Sequence, residues 1–150
     1  MNKSNKHIVI VEDNPYDREI IKRALKKANI FDHALFFEDG QEAWNFFFER
    51  NKTKDSELFD RLRAIVLDLN LPVISGFELM EKLRNHKLTK DIPIVILSSS
   101  DMKTDINHSY ELGANSYVIK NMEAETFRDS IEKLFHYWLL LNKPAGTNLC

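Results

Sequence analysis

The 150-residue sequence contains a single cysteine, Cys150, and this scarcity excludes two kinds of protein. One thiol supports neither a disulfide framework within the chain nor a zinc site built from several cysteines. An excess of positive charge is also missing, because 21 basic and 23 acidic residues give a formal net charge of −2. Nucleic-acid-binding domains usually carry a strongly basic surface, so we expect no nucleic-acid partner.

Long apolar segments are absent as well. The amino-terminal stretch MNKSNKHIVIV has too short an apolar run for a signal peptide, and no segment is long enough to span a bilayer. We therefore expect a cytoplasmic protein without a membrane partner. The sequence shows no repeat, and its length indicates one domain, with a core over about residues 6–141 and a tail over 142–150.

Five short apolar segments alternate with five segments of helical periodicity. The expected strands lie in residues 7–13, 33–37, 62–68, 91–100 and 116–120. The expected helices lie in residues 14–29, 39–51, 75–86, 101–114 and 123–141. Asn14 and Pro15 suit the start of the first helix, Gly113 suits the end of the fourth, and the polar segment 52–60 is expected to be a loop. Strands and helices in alternation predict a doubly wound α/β fold, with a parallel sheet covered on both faces.

Polar side chains stand where four of these strands end. Glu12 and Asp13 follow the first strand, Asp68 follows the third, and Ser98 and Lys120 stand at the ends of the fourth and fifth. In doubly wound sheets the functional site lies outside the carboxyl ends of the strands. We therefore expect three acids, a hydroxyl and an amine to meet in one crevice.

The chemistry of this set favours phosphoryl transfer. Three carboxylates in one crevice repel each other unless a cation neutralises them, and Mg²⁺ prefers oxygen ligands. A carboxylate can attack phosphorus, and a phosphoryl group needs its oxygens stabilised by a metal, a hydroxyl or an ammonium group. Taken singly, each of these residues is more often a helix cap, a turn residue or a solvated side chain. Their occurrence together at one edge of the sheet is what indicates a function.

At this point the sequence resembles the receiver domain of two-component response regulators, over about residues 6–140. The similarity lies in the segments VEDNPYDRE, IVLDLNLPVISGFELMEKLR, IPIVILSSS and LGANSYVIK. The resemblance implies a flavodoxin-like (βα)5 fold with a five-stranded parallel sheet in the order 2-1-3-4-5. It also implies a stand-alone response regulator that takes a phosphoryl group from a histidine kinase. Such a regulator switches protein contacts or relays the phosphoryl group, and catalyses only its own phosphorylation and slow dephosphorylation.

The resemblance further implies the phosphoacceptor and the metal ligands. Asp68 would accept the phosphoryl group. Mg²⁺ would be bound by Asp13, by Asp68 and by the backbone carbonyl of Asn70, with Glu12 acting through a water molecule. Glu12 replaces the Asp that is commoner in the family, which lengthens the side chain and changes the metal geometry little.

Three further residues acquire roles from the same resemblance. Ser98 and Lys120 would contact phosphoryl oxygens, and Ser98 with Tyr117 would form the switch that moves after phosphorylation. The family usually has Pro after the Lys, often with a cis bond, whereas this chain has Asn121. A cis bond before a residue other than Pro costs about 2.5–4 kcal/mol, so we predict a trans Lys120–Asn121 bond.

The last helix carries more apolar side chains than one face can bury. Helical spacing directs one set toward the core: Phe127, Ile131, Leu134, Trp138 and Leu141. We predict that an exposed patch pairs two copies in a homodimer through Phe135, Tyr137, Trp138 and Leu139. Burial of this helix by the tail is the alternative. The segment around Tyr137 and Trp138 resembles single-domain receivers that partner phytochrome-like or hybrid sensor kinases.

Two other functions are compatible with parts of the sequence. A receiver-like adaptor that is never phosphorylated would keep the fold, although the complete set of acids, hydroxyl and Lys argues against it. A phosphohydrolase with an aspartyl nucleophile would need a proton-transferring residue two positions after Asp68. That position is Asn70, which cannot transfer a proton, and the chain has no room for a cap domain.

Overall fold

A computed structural model describes residues 6–49, 57–120 and 122–145. Five parallel strands form one sheet in the order β2-β1-β3-β4-β5, which confirms the predicted fold class and strand order. The strands are β1 (His7–Val11), β2 (Ala34–Phe37), β3 (Leu62–Leu67), β4 (Ile94–Ser98) and β5 (Ser116–Ile119). All six residues of the central strand β3 are buried, as expected for a strand covered on both faces.

Helices cover both faces of the sheet. They are α1 (Pro15–Lys27), α2 (Gly40–Phe48), α3 (Gly76–Arg84), α4 (Lys103–Glu111) and α5 (Ala124–Phe135), with a 3₁₀ turn at Phe31–His33 and a π-helical turn at His136–Leu141. One core lies under α1 and α5, and the other lies under α2 and α3. Within the described ranges, no helix is both long and apolar enough to cross a membrane.

The helix ends follow local sequence signals. The Asn14 side chain accepts hydrogen bonds from the backbone N–H groups of Tyr16 and Asp17, and Pro15 is the first residue of α1, as predicted. Ser75 and Glu78 form a reciprocal capping box at the start of α3.

After α4 the chain turns at Gly113. Its φ of 108° lies in the left-handed region, which favours glycine. Gly113 therefore ends this helix as the sequence predicts.

The predicted loop over residues 52–60 is wrong for the part that the structure describes, since residues 52–56 lie outside the described residues and the remainder is helical. Residues 57–60 form a helical turn, and the Phe59 side chain is only 4% exposed. Its ring lies 5.5 Å from that of Phe47 and 6.0 Å from that of Phe46. Burial of this aromatic side chain draws the turn onto the core and outweighs the polar composition around it.

The last helix changes its hydrogen-bond register. The Asn142 N–H donates to the Tyr137 carbonyl at 2.7 Å, a bond five residues long that widens the final turn into a π-helix. Leu141, predicted to face the core, is consequently 58% exposed, whereas Leu139 is 2% exposed. The prediction for Leu141 was wrong because it assumed α-helical spacing to the end.

This register also changes the candidate dimer surface. Phe135 and Leu139 are each 2% exposed and pack in the core of their own chain, which removes their apolar area from water without a partner. Trp138 is half-buried against the same core. Of the four predicted contact residues, Tyr137 remains open to solvent, beside the exposed Leu140 and Leu141.

Candidate functional site

The site lies at the carboxyl edge of the sheet, where the ladder of backbone hydrogen bonds continues one residue beyond the strands. The Asp68 N–H donates to the Val11 carbonyl at 3.2 Å, and the Lys120 N–H donates to the Ser98 carbonyl at 2.8 Å. Parallel strands place all of their carboxyl ends at one edge. The sheet itself therefore fixes the backbone positions of Asp68 and Lys120.

Two helices hold the loop that follows Asp68. A Cβ added to Gly76, the first residue of α3, would overlap the Asp68 carbonyl oxygen, and one added to Gly40 at the start of α2 would overlap the Ile74 carbonyl oxygen. Between these contacts Val73 has a φ of 68°, which is unusual for a β-branched residue. The loop is thus fixed by close backbone packing on two sides.

Three carboxylates meet at this edge. Glu12, Asp13 and Asp68 each offer one oxygen, and these oxygens lie within 4.8 Å of one another. Glu12 is 1% exposed and Asp68 is 6% exposed, while Asp13 is half-buried. Oxygen donors at this separation fit a hard divalent cation such as Mg²⁺, which is commonly bound by few carboxylates and several waters.

Burial, more than the neighbouring acid Asp68, perturbs the protonation of Glu12. Burial, together with the charge of Asp68, raises the pKa of Glu12 to about 7, although Lys120 opposes this shift. A bound cation would oppose it further, because metal ligands must be deprotonated. Positive charge beside Glu12 therefore favours its ionised form.

Lys120 lies at the centre of these acids. Its Nζ is 2.8 Å from Glu12 Oε1, 2.9 Å from Asp17 Oδ2 and 3.1 Å from Asp68 Oδ2. The Lys120 side chain is 9% exposed, and burial alone would lower its pKa. The charges of Glu12 and Asp68, with hydrogen bonds to Glu12 and Asp17, more than offset burial and raise the pKa of Lys120. The ammonium group is therefore a fixed positive charge facing Asp68.

Sequence reasoning missed Asp17. This residue lies in the first turn of α1, and its side chain is 23% exposed. The sequence carried no clear signal for this role, because Asp13 lies before the N-cap of α1 and the four-residue spacing to Asp17 is therefore not helical. The pairing with Lys120, which is 103 positions away, needed the structure.

Two asparagines beside the site, Asn70 and Asn121, have predictions that concern their backbone atoms. The Asn70 N–H donates to Asp68 Oδ1 at 3.3 Å, and the Asn70 side chain is exposed. Asn121 lies outside the described residues. The trans Lys120–Asn121 bond therefore stays a prediction.

Ser98 and Tyr117 lie next to each other on β4 and β5. Ser98 is fully buried, and its Oγ accepts a hydrogen bond from the Ser100 N–H at 3.2 Å. Tyr117 donates its hydroxyl to the Ser100 carbonyl at 2.9 Å. Burial raises the pKa of Tyr117, and hydrogen bonds with Ser100 and Ser98 offset part of the shift. Within the described part of the chain, no hydrogen bond joins the Ser98 hydroxyl to the side chain of Asp68 or Lys120.

The family model of the response regulator receiver domain matches residues 8–132. The chain belongs to the response regulator receiver family. Receiver domains are regulators rather than enzymes, they generally accept phosphoryl groups, and they act with histidine kinases.

Two relatives show how far the similarity extends along this receiver. The response regulator Rcp1 of Synechocystis sp. is 30% identical over 134 residues, which cover 89% of this chain and 89% of Rcp1. The probable methanogenesis regulatory protein FilR2 of Methanothrix harundinacea is 27% identical over 139 residues, covering 93% of this chain and 87% of FilR2. The similarity therefore runs through nearly the whole receiver.

Solved structures share the fold of this receiver. The phosphorylated cyanobacterial phytochrome response regulator RcpA has a TM-score of 0.82 and 30% identity, covering 94% of this chain and 99% of RcpA. The Mn²⁺-bound form of Rcp1 has a TM-score of 0.81 and 28% identity, covering 94% of this chain and 99% of Rcp1. One of these receivers thus carries a phosphoryl group, and the other carries a divalent cation.

Proposed function

We propose that Asp68 accepts a phosphoryl group from the phosphohistidine of a histidine kinase in the presence of Mg²⁺. One observation carries this proposal. The Asp68 carboxylate lies 3.1 Å from the Lys120 ammonium, and one of its oxygens is within 4.8 Å of one oxygen each of Glu12 and Asp13. A nucleophilic carboxylate, a fixed cation and a cation-binding group of acids thus occur together.

The transfer step follows from these positions. One Asp68 oxygen attacks the phosphorus, the P–N bond to the donor imidazole breaks, and its electron pair returns to the nitrogen. Lys120 donates to a phosphoryl oxygen, and the Ser98 hydroxyl donates to another once it turns away from Ser100. Mg²⁺, when bound, would neutralise further negative charge on the phosphoryl group.

The acids of the site would hold this metal. We assign Asp13 and Asp68 as direct carboxylate ligands, Asn70 as a ligand through its backbone carbonyl, and Glu12 as a ligand through a water molecule. The donor set, all oxygen and mostly anionic, supports Mg²⁺ over softer metals. The Mn²⁺ bound to Rcp1 also supports a divalent cation in this chain.

The output would be a change in protein contacts or onward transfer of the phosphoryl group. Tyr117 already contacts the Ser98–Ser100 segment, so movement of Ser98 toward a phosphoryl group would reach the surface through Tyr117. The likeness to the phytochrome response regulator RcpA favours a phytochrome-like or hybrid sensor kinase as the partner.

Mass spectrometry after incubation with acetyl phosphate and Mg²⁺ tests the proposal. We expect one phosphoryl adduct, which is lost in Asp68→Asn and retained in the control Asp32→Asn, an exposed residue just before β2 at the opposite edge of the sheet. Absence of the adduct from the wild-type protein would favour the unphosphorylated adaptor. An adduct that persists in Asp68→Asn would place the acceptor elsewhere.

Two predictions about organisation remain proposals. We infer one receiver domain with its core over about residues 6–141 and a tail over 142–150, of which residues 146–150 lie outside the described residues. We also infer a homodimer through the end of the last helix, now centred on Tyr137 with Leu140 and Leu141, which are 46%, 50% and 58% exposed. Light scattering that shows a monomer at high micromolar concentration, both before and after phosphorylation, would reject the dimer.

A further inference from the structure

We propose that Asp17 is a positioning residue, which anchors the Lys120 ammonium so that one of its N–H bonds faces Asp68. This inference rests on the proposed function and concerns the same site. The three carboxylates around Lys120 differ in what phosphorylation requires of them. That difference gives Asp17 its role.

The ammonium group has no spare donor. It carries three N–H bonds, and the structure shows three carboxylate partners at 2.8 Å, 2.9 Å and 3.1 Å. The partners come from three places in the chain, because Glu12 follows β1, Asp17 lies in α1 and Asp68 follows β3. A phosphoryl oxygen can bind Lys120 only by replacing one of them.

Asp68 is the partner to be replaced. Its contact with Lys120 is the longest of the three, and its carboxylate becomes part of the acyl phosphate. The N–H that reaches Asp68 in the unphosphorylated site therefore already points toward the position of the phosphoryl group. Phosphorylation needs a small change of acceptor rather than a new lysine conformation.

Of the two remaining partners, Asp17 is the one not needed by a metal. Among the described residues, the carboxylates whose oxygens lie within 4.8 Å of one another are Glu12, Asp13 and Asp68, and Asp17 is outside that group. A divalent cation would draw on Glu12 and compete with Lys120 for it. Asp17 stays available to Lys120 whether or not metal and phosphoryl group are bound.

The backbone of Asp17 is held in place by its own helix. Its N–H donates to Asn14 Oδ1 at 3.2 Å, which fixes the first turn of α1. A carboxylate in this turn is also stabilised by the dipole of the helix. The anchor is therefore rigid, which a residue that positions another side chain requires.

The first test observes Lys120 directly. Nitrogen-15 NMR of lysine side chains should show one slowly exchanging Nζ signal, assigned by its loss in Lys120→Met. We expect the signal to disappear in Asp17→Asn and to persist in Glu19→Gln, which removes the same charge from the exposed side of α1. Persistence of the signal in Asp17→Asn would overturn the anchoring role.

The second test measures the rate of adduct formation with acetyl phosphate and Mg²⁺. Replacing this carboxylate by a neutral amide weakens one charge-assisted hydrogen bond to Lys120, which should slow adduct formation in Asp17→Asn about fivefold. Glu19→Gln should match the wild-type protein. Asp17→Glu, which keeps a carboxylate near Lys120, should recover most of the rate. A rate in Asp17→Asn equal to or above the wild-type rate would contradict the proposal, since it would mean that Asp17 only repels the anionic donor.

A double variant, Asp17→Asn with Lys120→Met, distinguishes positioning of Lys120 from a long-range effect of the Asp17 charge. If Asp17 acts through Lys120, then Asp17→Asn should have no further effect on the rate in the Lys120→Met background. An equal effect in both backgrounds would overturn the proposal. Failure of the wild-type protein to form any adduct would instead reject the proposed function, and the NMR signal would still decide whether Asp17 anchors Lys120.

Discussion

Two cations in this molecule are surrounded by oxygen atoms of different kinds. At the end of α3, Arg84 makes five hydrogen bonds of 2.8–3.0 Å to neutral oxygens. These oxygens belong to the backbone carbonyls of Gly113, Lys90 and Ile92 and to the side chain of Asn115. At the carboxyl edge of the sheet, Lys120 donates to three carboxylates instead.

This difference in hydrogen-bond acceptors predicts a structural role for Arg84 and a functional role for Lys120. Backbone carbonyls are part of the fold and do not exchange partners, so Arg84 holds together the end of α3, the segment before β4 and the turn before β5. Carboxylates can bind a metal, accept a phosphoryl group or exchange partners, so the surroundings of Lys120 can be rearranged. We expect loss of Arg84 to act mainly on folding and loss of Lys120 to act mainly on ligands.

The largest effect on stability should come from Arg84→Met. This change leaves several partly buried carbonyls without a donor and should lower the free energy of unfolding by about 3 kcal/mol. Urea denaturation with and without Mg²⁺ measures it, and the loss should be the same in both conditions. Arg23→Met, at an exposed position on α1, serves as the control. A decrease in the free energy of unfolding below about 1 kcal/mol would mean that Arg84 does not stabilise the fold as proposed.

Lys120→Met should have a smaller effect, and we expect it on the affinity for Mg²⁺ rather than on stability. Without the ammonium group, Glu12 and Asp68 lose a competing cation, so affinity for Mg²⁺ should rise by roughly tenfold. Isothermal titration calorimetry measures this change. Lys87→Met, at the opposite edge of the sheet, should leave the affinity unaltered. Equal or weaker Mg²⁺ binding in Lys120→Met would refute competition between the two cations.

The smallest expected effect is the change of Mg²⁺ affinity with pH. Burial raises the pKa of Glu12 to about 7, so we expect protons to compete with Mg²⁺ for the acid cluster in the neutral range. Affinity should be fully developed above that pKa. Below it, affinity should fall by up to about tenfold for each pH unit. In Glu12→Gln this dependence should flatten, whereas Glu19→Gln should keep it. A flat profile for the wild-type protein between pH 6 and 8 would contradict the raised pKa of about 7.

The parts predictable from sequence were those set by local signals. Apolar runs ending in Asp68, Ser98 and Lys120 located the strand ends, and parallel strands must bring those ends to one edge. Asn14 and Gly113 marked helix ends because each residue type suits the backbone there.

The missed features depend on three-dimensional packing. The pairing of Asp17 with Lys120 depends on how α1 is rotated against the sheet, which periodicity gives only coarsely. The positions of Leu139 and Leu141 depend on a π-helical turn that inserts one residue into the register. In residues 57–60, the burial of Phe59 prevailed over polar neighbours.

The loop after Asp68 also has a consequence for how this chain can diversify. Gly40 and Gly76 have no room for a side chain. A Cβ atom at either position would overlap a backbone carbonyl oxygen in the loop or next to it. In a saturation library both positions should reject even alanine. Val73, 80% exposed and held at a positive φ, should accept Gly or Asn with a gain in stability. Variation among descendants of this sequence would then be concentrated at the tip of the loop, with its two supports invariant.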